Sequence, residues 1–251
     1  MSVQFQKNTL RRVLVSRLPR TIIDFVFPPV CANCGRVGFL FCDDCKAGIT
    51  WLEPPICSLC GKPKATPLIR CRQCQSRSLP LDQIRSATIY SGPVAKVLQR
   101  MKYEGYFGLV DELAKLMLKA WPRWEHPVDI VAPIPLHPYR ERKRGYNQAE
   151  LLVSVLSDNI GWQTDSRALV RGRRTKPQVG LSIDERHENV RGAFRVEEDV
   201  FRDMRVMLVD DVCTTGSTLA AAADALLEAG ANSVTAYCLA TAASDRELFI
   251  A

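Results

Sequence analysis

Eight of the ten cysteines fall within residues 31–74, and all eight come in Cys-x-x-Cys pairs. So short a stretch has too little apolar sequence for a core of its own, and something other than burial must hold it together. Disulfides would do this in a small secreted domain, whereas in a cytosolic chain the spacing reads as zinc-binding. Thiolates take zinc tetrahedrally, four at a time and commonly from two turns, so eight cysteines suit two structural zinc ions. The stretch also repeats internally. Cys31-Ala32-Asn33-Cys34-Gly35 parallels Cys57-Ser58-Leu59-Cys60-Gly61, and each is followed by a plainer pair, Cys42/Cys45 and Cys71/Cys74. Glycine follows only the first pair of each half, where a turn that aims two thiolates at one metal needs positive φ. The repeat favours Cys31, Cys34, Cys42 and Cys45 for one site and Cys57, Cys60, Cys71 and Cys74 for the other. An interleaved arrangement, first pair with third and second with fourth, remains open, and redox pairs are the rival chemistry. Cys213 and Cys238 lie in apolar, strand-like surroundings and read as packing residues.

Around this unit the chain changes character twice. Residues 1–30 carry Leu10, Val13, Leu14, Leu18, Ile22, Ile23, Phe25 and Phe27 with arginines between them, the pattern of an amphipathic helix ended by Pro28-Pro29. Such a helix can lie on a membrane or dock on the body of the protein. Arg17, Pro19, Arg20 and Asp24 break the apolar run and no small-residue cleavage site follows, so a cytoplasmic protein is expected. No apolar run approaches the roughly 20 residues of a membrane span.

From about residue 85 strands and helices alternate. Strands are expected at Ser86–Tyr90, Asp129–Ile134, Val206–Val209 and Val234–Ala240. Helices are expected at Val94–Lys102, Leu109–Ala120, Asn147–Leu156 (with Gln148, Glu150 and Ser154 as its wet face) and Thr218–Ala229, the last stopped by Gly230. This alternation argues for an α/β fold, a parallel sheet with helices on both faces.

In such a sheet ligands bind beyond the carboxyl ends of the strands. The apolar strand Val206–Val209 delivers Asp210 and Asp211 to that edge, and Thr214, Thr215, Gly216, Ser217 and Thr218 open the following helix. Backbone N–H groups at a helix start, with hydroxyls beside them, cradle an anion. Two carboxylates beside an anion site make sense if the ligand also offers hydroxyls or a magnesium ion, and a ribose 5-phosphate offers both. A second segment, Arg140-Glu141-Arg142-Lys143-Arg144, leaves the strand ending at Ile134 on the same edge. Its Arg140 and Arg144, with Lys143 behind them, are candidates for clamping a pyrophosphate. The net charge of +7 agrees with phosphate-bearing partners. A third segment runs from Arg173 to Phe194 without clear periodicity and includes Arg174, Gln178, Arg186 and Asn189; its composition suggests a loop that orders on binding and closes as a lid.

Val206–Thr218 closely resembles the phosphoribosyl pyrophosphate (PRPP) signature of type I phosphoribosyltransferases. In order along the chain come the cysteine pairs, Lys102-Tyr103, Arg144-Gly145-Tyr146-Asn147-Gln148, Arg174-x-x-x-Gln178, Arg186-x-x-Asn189-Val190 and the PRPP motif. Together they resemble the ComF/GntX family over roughly residues 20–243. The resemblance implies a type I phosphoribosyltransferase fold, placed at residues 85–245, preceded by a zinc-ribbon unit at 31–80. It implies PRPP with Mg2+ as ligand and, for some members, a role in DNA uptake or the use of external DNA.

Two functions follow. As an enzyme, the chain would let a base or amine attack C1 of the ribose as pyrophosphate leaves. Asp210 and Asp211 would hold the ribose, residues 214–218 the 5′-phosphate, and Arg140, Lys143 and Arg144 the pyrophosphate. As a non-catalytic factor, it would use the same fold to grip single-stranded DNA or a DNA-uptake protein. No residue in the sequence marks the acceptor or a general base.

Overall fold

The computed structural model describes residues 28–64, 69–76, 79–124, 126–173, 175 and 183–243. The helix expected within residues 1–30 falls almost wholly outside these, as do Arg174 and Gln178. Four strands, β1 (Gln83–Ile89), β2 (Ile130–Pro133), β5 (Arg205–Cys213) and β6 (Ser233–Thr241), form a parallel sheet in the order β1-β6-β5-β2. Strands β3 (Leu169–Arg171) and β4 (Phe194–Val196) pair separately as an antiparallel ribbon.

The central strands show why their sequences are apolar throughout. Along β5, Met207 and Val209 enter one core, and Val206 and Leu208 enter the other. Along β6, Tyr237 and Leu239 face the first core, and Val234, Ala236 and Cys238 the second. Successive side chains point to opposite faces, so a strand covered on both sides has no polar register to show. The first face is covered by α3 (Gly92–Glu104), α4 (Leu109–Trp124) and α6 (Gln148–Ile160). On the second lie α8 (Ser217–Glu228) and the β3–β4 ribbon. Cys213 and Cys238 are buried there and serve packing, as expected.

Two expectations are corrected. Gln148 does not belong to a wet face: it is buried, while Glu150 and Ser154 are exposed. Polarity alone cannot distinguish a solvated amide from one facing a polar network, and Gln148 accepts a hydrogen bond from Arg144. Part of the supposed loop after Arg173 is helix α7 (Ile183–Val190).

Each cysteine-rich half folds as a ribbon built on the repeated Cys-x-x-Cys-Gly turn. The N–H of Gly35 donates to the Cys31 carbonyl and that of Gly61 to the Cys57 carbonyl, both at 3.0 Å, with φ of 85° and 68° at the glycines. Matching bridges, Val30 to Val37 and Ile56 to Pro63, close the two turns. Short helices α1 (Asp43–Ala47) and α2 (Arg72–Ser76) carry the second cysteine pair of each half. The first ribbon rests on the domain through Phe41 in the core and through Lys46, which pairs with Glu112 of α4 at 2.6 Å.

The second ribbon is pinned to β1. The Ile84 N–H donates to the Leu59 carbonyl at 2.7 Å, and the Arg85 guanidinium to the Ser58 carbonyl at 3.0 Å. Gly61 sits so close to this strand that an added Cβ would lie 2.3 Å from the Ile84 carbonyl oxygen. Gly61→Ala is therefore expected to destabilise the protein by about 2 kcal/mol or more, through overlap and a left-handed backbone together. The comparable change Gly35→Ala meets no atom within 4 Å and is expected to cost clearly less. Denaturant titration of the two variants checks the contrast.

Candidate functional site

The carboxyl ends of β5 and β2 bring the acidic pair, the hydroxyl loop and the basic helix to one edge of the sheet. Asp211 is buried and Asp210 half-buried. The Asp211 N–H donates to Asp210 Oδ1 at 2.8 Å, which fixes the first carboxylate against the backbone. Gly216, at φ 76°, turns the chain into α8, whose start carries no side-chain cap. Thr215 and Ser217 hydroxyls lie 2.8 Å apart at this turn. The Ser217 N–H donates to Thr215 Oγ1 at a long 3.4 Å, and helix-start N–H groups so weakly capped favour an anion.

Burial, added to the nearby Asp211 carboxylate, pushes Asp210 up to about 7 against the pull of Lys102. The folded state thus holds this proton more tightly than the unfolded chain, where an aspartate titrates near ~4. The stability contributed is present below that value and is lost as pH rises to about 7. Asp210→Asn is expected to flatten the fall in stability across this window, as measured by denaturant midpoints at several pH values.

A set of cations surrounds the acidic pair. Lys102, near the end of α3, places Nζ 2.8 Å from Asp211 Oδ1. Burial opposes its charge, but Asp211 more than offsets this and holds its pKa above the ordinary lysine value. Arg144 lies at the end of α5 (Pro138–Arg144), half-buried and bonded to Gln148. Asn147 caps α6 by accepting from the Ala149 N–H at 3.1 Å and donates to the Ile134 carbonyl at 3.0 Å, locking the basic helix to β2. Tyr146 bonds to the Met101 carbonyl, tying the same turn to the residue before Lys102.

Arg140 donates to the Thr175 carbonyl at 2.9 Å, and Arg171 of β3 donates to the Thr175 hydroxyl at 2.7 Å. Burial and then the repulsion of Arg140 bring Arg171 down to about 10, even though Asp210 works the other way. Its buried Nε has no hydrogen-bond partner among the described residues. Two such guanidiniums side by side have the charge and the donors that suit a multiply charged anion. Lys143 is exposed, and Arg186 and Asn189 lie half-buried on α7.

The eight thiols gather in two clusters, Cys31/Cys34/Cys42/Cys45 and Cys57/Cys60/Cys71/Cys74, with all sulfurs of a cluster within 4.8 Å of one another. The interleaved arrangement is thereby excluded. In each cluster burial opposes the thiolate, yet backbone N–H groups bring Cys31 and Cys57 down to about 6. Burial pushes Cys45 and Cys74 up to about 12. Four soft donors that cannot all ionise side by side match a tetrahedral zinc ion, which supplies the missing positive charge.

The comparisons agree with this geometry. The double zinc ribbon domain matches residues 22–75, and the phosphoribosyl transferase domain matches residues 140–249. DNA utilization protein YhgH of Salmonella typhimurium is 33% identical over 89% of this chain and 93% of its own length. Competence protein F of Haemophilus influenzae is 32% identical over 68% and 78%, and competence protein ComFC of Bacillus subtilis 30% identical over 79% and 82%. The chain belongs to the ComF family. It has the type I phosphoribosyltransferase fold of parallel sheet and helices, preceded by a double zinc ribbon with two four-cysteine sites that fit two zinc ions.

Within this ComF-family chain the sheet edge unites Asp210, Asp211, Thr214–Thr218, Arg140 and Arg144, all legible in the sequence. Two cations escaped a role there. Lys102 stood only as part of a motif, and Arg171 had no motif at all. Its one readable signal is an arginine inside an apolar strand, a residue type almost never buried without a purpose. Among the described residues, no helix is long and apolar enough to cross a membrane.

Proposed function

We propose that this ComF-family protein binds PRPP or a related ribose phosphate together with Mg2+, and that it serves DNA uptake or utilisation. The observation that carries the ligand is the juxtaposition of an acidic pair, a hydroxyl-rich helix start and clustered arginines on one sheet edge. The relatives named for competence and DNA utilization support the role in DNA use.

The residues divide the ligand by charge. Thr214, Thr215, Gly216, Ser217 and Thr218 hold the 5′-phosphate through N–H and hydroxyl groups. Asp210 and Asp211 accept from the 2′- and 3′-hydroxyls of the ribose. Arg140, Arg144 and the exposed Lys143 take the pyrophosphate, with Arg171 beside them. Arg186 and Asn189, on α7, belong to a segment that closes over the ligand, while Arg174 and Gln178 lie outside the described residues. The hard carboxylate oxygens suit magnesium, which is bound by one or two carboxylates plus substrate phosphates and neutralises their charge. In a transfer reaction the C1–pyrophosphate bond breaks as a bond from C1 to the acceptor forms, and the acidic pair stabilises the positive charge that develops on the ribose.

Titration calorimetry tests the reading. Ribose 5-phosphate is expected to bind and unphosphorylated ribose not to bind. Heat-silent titrations with both ribose 5-phosphate and PRPP, at several temperatures, would contradict it.

A further inference from the structure

A cleft of about 310 Å³ lies where the second ribbon faces the hydroxyl loop. One wall carries Lys62, Gln73 and Ser76 of the ribbon, and the other Thr214, Thr215 and Gly216. Among the described residues, Lys62 is the only basic side chain lining it, beside Cys60 and Cys74 of the second four-cysteine site. The loop from Cys213 to Thr218 contains no basic residue, and two carboxylates precede it. A phosphate dianion there meets hydroxyls, N–H dipoles and nearby negative charge.

The ribbon is held at a fixed distance from the loop. Gly61 packs on the backbone of Ile84, and the Ile84 side chain reaches within 3.3 Å of where a Cβ on Gly216 would stand. One residue of β1 is thus wedged between the ribbon's turn and the phosphate turn. The Lys62 carbonyl accepts from the Cys57 N–H at 2.9 Å, so the lysine backbone belongs to the metal-binding turn itself.

We propose that the second zinc ribbon is the outer wall of the 5′-phosphate pocket and that Lys62 supplies the cation the phosphate loop lacks. The ligand class is the phosphomonoester end of a sugar phosphate, so the inference rests on the ribose-phosphate reading of Thr214–Thr218. The second zinc then does more than hold a satellite fold together, because its turn positions a ligand-binding side chain.

The test uses the full zinc-loaded chain and ribose 5-phosphate as probe, with affinity read by calorimetry and zinc by metal analysis. Lys62→Ala is expected to weaken binding about tenfold or more, the loss of one charge-assisted contact, while both zinc ions stay bound. Lys62→Met keeps the stem without the charge and is expected to match it, whereas Lys62→Arg retains most of the affinity. Lys64→Ala, two residues along and off the cleft wall, is expected to change nothing. Unaltered affinity in Lys62→Met, with zinc intact, overturns the proposal while leaving the phosphate-loop reading standing. Absence of ribose 5-phosphate binding by the unmodified chain overturns both.

Discussion

Cys60→Ser is expected to empty the second four-cysteine site, lower the zinc content from two ions per chain to one, and unfold the ribbon around it. The apolar cluster there consists of little more than Cys57, Leu59 and Cys74, so the sulfurs themselves are the core. Structural zinc binding is worth about 10–16 kcal/mol in comparable small units, far more than so small a cluster could replace. Serine offers a hard, protonated oxygen in place of a soft thiolate, and the remaining three sulfurs keep their mutual repulsion. Metal analysis and amide hydrogen exchange check the result: protection is expected to vanish around Leu59 and persist in β5 and β6. The first ribbon has a firmer hold through Phe41 and Lys46, so Cys34→Ser is expected to release one zinc with a smaller loss of order.

Asp211→Asn carries the second large effect. It removes the partner of Lys102, whose ammonium lies 2.8 Å away with its side chain only 22% exposed. A largely buried charge left unpaired costs about 1–3 kcal/mol even where the replacement can still accept a hydrogen bond. The same change removes a carboxylate from the proposed ribose site, and PRPP binding is expected to fall by about 100-fold or more. The two consequences separate in the double variant Lys102→Met with Asp211→Asn. Its thermal midpoint is expected to recover part of the loss, because the Lys102 ammonium is no longer stranded although Asp210 loses that cation, whereas its PRPP affinity is not expected to recover. Recovery of both would mean that Asp211 acts only as an ion-pair partner.

Much of the candidate edge was readable because its determinants are local. Val206 to Thr218 carries strand, acidic pair and turn within one continuous segment, and the fold only has to bury the strand for the rest to reach the edge. The cysteine repeat was local in the same sense, and only the pairing of the two halves needed coordinates. Lys102 was not readable because its partner lies 109 residues away, and helical periodicity says which face is apolar without saying which lysine on the other face meets an acid. Gln148 misled for the opposite reason: its polarity serves a buried bond to Arg144, four residues earlier. Helix α7 escaped because Ile183-Asp184-Glu185-Arg186-His187-Glu188-Asn189-Val190 has apolar residues only at its ends, too few to mark a face. The placement of the second ribbon across a cleft from Thr214–Gly216 was hidden too, since Gly61 and Gly216 each pack on Ile84 only in the folded protein.

A crystal structure determined with PRPP and Mg2+ decides whether the sheet edge holds a phosphoribosyl group. The 5′-phosphate is expected against Thr214–Thr218, the ribose hydroxyls against Asp210 and Asp211, and the pyrophosphate toward Arg140 and Arg144. PRPP bound elsewhere on the chain, or absent from that edge at saturating concentration, would contradict it.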